Sequence, residues 1–99
     1  MAFKITWTDI AAEEFLDIVN YLESEWTTRI SENFINDCFA KLDLLAHAPM
    51  IGPPSNLHKS VRRILITKNI ALYYEVTKDG VILLNFFDLR QSPERNLFE

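Results

Sequence analysis

The sequence predicts an α+β fold: a β-α-α-β-β-β chain whose N-terminal helical hairpin packs on one face of a largely antiparallel four-stranded sheet, with a short C-terminal helix. Three observations predict it. Two stretches, one running to about Glu25 and the next ending at Pro49, repeat apolar side chains at helical spacing. The gap between them is short, which folds the pair back as an antiparallel hairpin. From Val61 onward the chain is β-rich, and Asp79-Gly80 breaks it as a tight-turn pair would.

Phe3 to Trp7 alternates as a short strand does, with Phe3, Ile5 and Trp7 on one side and Lys4 and Thr6 on the other. Thr8 and Asp9 then offer N-capping oxygens, and Glu13 and Glu14 lie near the helix start, where the dipole favours acids. Ala11, Phe15, Ile18 and Leu22 mark the buried stripe of the first helix. Thr27 or Thr28 caps the second, whose stripe is Ile30, Phe34, Cys38, Leu42 and Leu45, widened by Ile35 and Phe39. Pro49 stops it, because the residue before a proline is pushed out of the helical region. Residues 49–56 read as an irregular connection rich in turn formers.

Three strands follow: Val61–Ile66 with two arginines near its start, Ile70–Val76 with Tyr73 and Tyr74 at its middle, and Val81–Asp88. The last is the most apolar and is expected in the sheet centre. Ser92-Pro93-Glu94 has the cap, first-turn proline and early acid of a short helix.

Ninety-nine residues suffice for one domain, residues 1–99. A chain this short covers its apolar surface incompletely, so a partner is expected. Cys38 is the single cysteine, which excludes an intrachain disulfide and fits a reducing, cytoplasmic setting. No apolar run is long enough for a signal peptide or a bilayer span, so no membrane role is expected. The net charge of −4 speaks against bulk nucleic-acid binding, yet it divides unevenly: residues 1–56 carry three basic and nine acidic side chains, residues 57–99 seven and five. With two glycines in all, a phosphate-cradling loop is excluded, and metal-ligand spacings and a serine–histidine–acid set are missing, so no cofactor is expected.

Several pieces occur together in a known order. They are Ile5-Thr6-Trp7-Thr8 with Ala11 and Ala12, Tyr21-Leu22, Leu44-Leu45 before Ala48-Pro49 and Gly52, and Val61-Arg62-Arg63-Ile64-Leu65. Leu72-Tyr73-Tyr74-Glu75-Val76 and Leu84-Asn85-Phe86-Phe87-Asp88-Leu89-Arg90-Gln91-Ser92-Pro93 complete the set. By their order and spacing over nearly the whole length, the chain resembles the RelE/ParE toxins of bacterial type II toxin–antitoxin systems, on the ParE-like side. The resemblance implies the α+β fold above, a cognate antitoxin as partner, a role in plasmid stabilisation, and one of two modes of poisoning. RelE-type toxins cut messenger RNA on the ribosome without a metal; ParE-type toxins trap DNA gyrase. Fold alone does not choose between them.

Metal-free RNA cleavage needs an activated 2′-hydroxyl, a stabilised phosphate and a proton for the leaving oxygen. Guanidinium forks suit the phosphate. The resemblance implies Arg62 and Arg90 for the active surface, with His58 as a loop base and Lys59 beside it; Arg63, Tyr74 and Arg95 are the further candidates for contact with RNA or another target. A cluster of guanidinium groups is thus expected on the sheet face that the helices leave uncovered. The bland readings are definite too. Arg62 and Arg90 can pair with Glu75 or Asp88, and a lone loop histidine is ordinarily solvated. His47 suits a helix C-terminus, Cys38 belongs to the core, and Trp7 and Trp26 pack at element ends. Tyr73 and Tyr74 point to opposite faces, one to the core and one to a ligand or partner.

The RelE-type C-terminal tyrosine is missing from residues 94–99, as is dense basic coverage. Three readings stand: a ParE-like toxin acting on gyrase by binding, a RelE-like ribosome-dependent nuclease using Arg62, Arg90 and a loop base, and an inactive interaction module. Each expects an antitoxin whose amphipathic helix or extended segment covers the sheet edge and remaining apolar surface. A homodimer through the hairpin and a toxin–antitoxin hetero-oligomer are both open.

Overall fold

The structure is a computed structural model that describes residues 2–90 and 93–99. Strand β1 (Lys4–Trp7) leads into helix α1 (Asp9–Glu25) and helix α2 (Thr28–His47). A one-turn 3-10 helix at Pro49–Ile51 follows, then strands β2 (Val61–Thr67), β3 (Ile70–Val76) and β4 (Gly80–Asp88). The four strands form one sheet in the order β1-β4-β3-β2, with β1 parallel to β4 and the other pairs antiparallel. The apolar β4 is therefore interior, as its composition predicts. Of the short C-terminal helix, one 3-10 turn at Pro93–Arg95 forms; its expected cap, Ser92, lies outside the described residues.

Thr8, rather than Asp9, caps α1. Its hydroxyl accepts from the Ala11 amide at 3.1 Å and donates to the Leu83 carbonyl at 2.8 Å, so one side chain both starts the helix and ties it to β4. Thr27 caps α2 through the Ile30 amide at 3.1 Å. Both helices pack on one sheet face around Phe34, Cys38, Leu45, Leu72, Tyr74, Val81, Leu83 and Phe86. An aromatic cluster joins four elements there, since Trp7 lies 5.3 Å from Phe15 and 5.8 Å from Phe86, and Phe15 lies 5.6 Å from Phe34 (ring centroids). Burial drives the Cys38 thiol pKa up to about 12, as befits an inert core thiol. Trp26 departs from expectation: it is 61% exposed and packs no core, lying at the mouth of a cleft instead.

The pairing between β3 and β4 slips by one residue. Tyr73 faces Asn85 and Tyr74 faces Leu83, which leaves Leu84 as the extra residue of a bulge. The bulge rephases the strand, so Leu83 and Phe86 join the core under the helices while Leu84 and Phe87 join a second apolar cluster. That second cluster, with Val61, Ala71 and Tyr73, packs against Leu89 and Phe98.

Candidate functional site: a cleft at the hairpin and a clamped turn at the sheet edge

A cleft of about 850 Å³ opens between the helical hairpin and the C-terminal end of β4. Ile18, Leu22, Ile30, Phe34 and Phe86 give it apolar walls, and Arg90 and Arg95 stand along it with Asp88. Glu14 of α1 spans its floor. The carboxylate accepts from the Phe86 amide at 2.9 Å and from the Asn85 side-chain amide at 2.7 Å, just past the bulge. Burial, against the pull of these hydrogen bonds, raises the Glu14 pKa above its ordinary value. Asn85 is 5% exposed, and its Oδ1 is buried with no hydrogen-bond partner. The apolar walls, flanked by polar and charged side chains, suit an amphipathic segment.

The second construction is a clamped turn. Tyr74 Oη donates to the Pro49 carbonyl at 2.8 Å and accepts from the Gly52 amide at 3.0 Å. From the neighbouring strand, Arg62 donates to the carbonyls of Gly52 at 2.7 Å and Met50 at 3.3 Å. A Cβ on Gly52 would collide with the Arg63 carbonyl oxygen and lie 2.6 Å from Tyr74 Oη, so the turn has room for glycine alone. The sequence pieces around Pro49, Gly52, Arg62 and Tyr74 are thus one structural unit.

This unit corrects two expectations. Tyr74 is fully buried, with its hydroxyl held by backbone, and offers nothing to a target. Arg62 lies on the helix-facing side opposite Tyr74, at the start of β2, whereas Arg90 follows Asp88, which pairs with Ile70 at the other end of the sheet. The expected guanidinium cluster does not form, because alternation sends Arg62 and Arg63 to opposite faces and strand length separates Arg90 from both. Arg62 does not meet Glu75 either; the turn carbonyls take its donors. Arg90 does pair with Asp88, through Nε at 3.0 Å and a terminal nitrogen at 2.7 Å, and this pairing lowers the Asp88 pKa. Arg95 is exposed and shares the cleft with Arg90.

On the opposite face, Arg63 approaches the Glu99 carboxylate at 4.0 Å, and the exposed His58 ring lies 5.6 Å from Phe98. Lys59 is exposed next to it. Tyr73 is fully buried as well, so neither tyrosine of the pair is open. Part of the signal was available: the tail carries two apolar residues, Leu97 and Phe98, and the second of them covers the ring. His47 stays at the end of α2, its Nδ1 2.9 Å from the Asp43 carbonyl oxygen. Among the described residues, no group of three or more histidine, cysteine or acidic side chains gathers as a metal site, and no helix is long and apolar enough to cross a membrane.

Two helices on a mixed four-stranded sheet, with β1 closing beside β4, is a fold shared with a solved structure. That structure, described as the chromosomal ParDE TA system from P. aeruginosa, superposes with a TM-score of 0.76, covering 90% of this chain and 98% of that one at 15% sequence identity. At that identity the likeness is one of fold. The family follows from the sequence: residues 5–93 match the family described as ParE toxin of type II toxin-antitoxin system, parDE, and the chain belongs to it. No curated protein matches the sequence.

Proposed function

We propose that the chain, acting as one domain in the cytoplasm, is a toxin that works by binding its target, with DNA gyrase as that target, and that a cognate antitoxin neutralises it. Membership of the ParE family supports the first part. The observation that carries the mode of action is the separation of the two arginines that a nuclease would use: Arg62 is spent on the Met50 and Gly52 carbonyls and Arg90 on Asp88, so the two do not converge on one scissile phosphate. His58, Lys59 and Arg63 remain as contact residues for a protein target rather than as a catalytic set. The cleft beside Asn85 and Glu14 supports the antitoxin reading, since an amphipathic helix would fill its apolar walls.

The test is a gyrase supercoiling assay with purified protein. The expected outcome is loss of supercoiling with accumulation of cleaved DNA, reversed by the antitoxin. Unimpaired supercoiling together with cuts in messenger RNA in a translation extract would replace this reading with the nuclease one.

A further inference from the structure

The sheet face turned away from the helices is not bare. Val61, Ala71, Tyr73 and Phe87 are all under 9% exposed there. Among the described residues, the C-terminal tail is what lies over Tyr73. Phe98 stacks on it at 5.1 Å between ring centroids, and Asn96 donates to its hydroxyl at 2.9 Å. Glu99 then receives the Tyr73 hydroxyl at 3.3 Å and the Asn56 amide at 3.4 Å, with the Arg63 guanidinium at 4.0 Å. One backbone bond, from the Leu57 amide to the Phe98 carbonyl at 3.1 Å, completes the attachment.

These contacts have two notable properties. Those to Glu99 are weak, since the hydrogen bonds are long and the charge pair is partly solvated, so release of its carboxylate is inexpensive and the Phe98 ring carries most of the attachment. The contacts are also specific in kind. An aromatic ring fills the hollow between Tyr73 and His58, and the next residue's carboxylate meets a hydroxyl, an amide and a guanidinium, each suited to an anion.

We propose that this face is a docking site for a partner-protein segment bearing an aromatic side chain followed by a carboxylate, and that Phe98 and Glu99 occupy it in the free chain. The tail is then an internal competitor, which a partner of the same chemistry displaces, baring Tyr73 and Arg63 to it. The inference rests on the face and its tail, not on the gyrase reading, and either can fail without the other.

A labelled peptide copying residues 94–99 tests it by fluorescence anisotropy against the full chain. A tethered tail competes at an effective concentration on the order of millimolar, so the Phe98→Ala, Glu99→Gln double variant should bind the peptide at least about tenfold more tightly than the unaltered chain. Adding Arg63→Ala to that variant should weaken binding again, and a peptide carrying Phe98→Ala should not bind. Equal affinity for both chains, or no binding to a double variant whose circular dichroism matches the unaltered chain, overturns the proposal. Should the double variant unfold, Glu99→Gln alone keeps the aromatic cover: a gain of about threefold supports the proposal and unchanged affinity overturns it.

Discussion

Tyr74 carries more of the architecture than its place in a strand suggests. Its hydroxyl serves a buried carbonyl and a buried amide at once, so Tyr74→Phe leaves both Pro49 and Gly52 without a partner. The expected cost is about 1–3 kcal/mol, read as a lower urea midpoint with unchanged m-value. Glu14 acts through its protonation. Burial raises its pKa above 4.5 in the folded chain, so folding favours the neutral acid. Its contribution to stability is whole below the unfolded value and is lost as pH rises through the higher folded value. Thermal unfolding of the Glu14→Gln variant should therefore lose that part of the decline with rising pH, while the wild-type chain keeps it. Both residues were visible in the sequence, but their partners lie 22 to 72 positions away, and spacing rules reach only a few residues.

At the scale of elements, local chemistry was largely legible. Each helix begins at a threonine with an open side-chain oxygen, and α2 ends at a proline, all of which follow from short-range sterics and hydrogen bonding. The two caps should nonetheless differ in weight. Thr27→Ala removes an exposed cap at about 1 kcal/mol, whereas Thr8→Ala also frees the bond to Leu83 and should cost nearer 2 kcal/mol, measurable by denaturant titration of the two variants in parallel. Strand ends were less legible. Arg90 read equally as a substrate contact or as a partner of a nearby acid, and it folds back on Asp88, the residue two before it. Because the pair is exposed, Arg90→Ala should lower stability by less than about 1 kcal/mol while Asp88 titrates nearer its ordinary value, a change that carboxyl-detected NMR resolves.

Across the whole molecule, charge is divided between an acidic helical half and a mildly basic sheet half, and the cleft between hairpin and β4 sets apolar walls beside charges of both signs, Glu14, Asp17 and Asp88 against Arg90 and Arg95. Because those charges nearly balance, an antitoxin bound there as proposed should be held chiefly by burial of the apolar walls. Raising salt from about 50 to 500 mM should weaken it by less than about tenfold, and a steep collapse measured by calorimetry would point to an electrostatic interface instead. The sequence by itself determined the kinds of element, their order and their caps, because helical and strand periodicity, proline sterics and threonine hydroxyls act within a few residues. Only the tertiary structure decided which groups meet. The one-residue bulge at Leu84 sets the facing of Phe86 and Phe87, and the two antiparallel pairings put the start of β2, with Arg62, and the end of β4, beside Arg90, at opposite ends of the sheet. Register is fixed by contacts between distant strands, and a slip of one residue reverses every side chain beyond it.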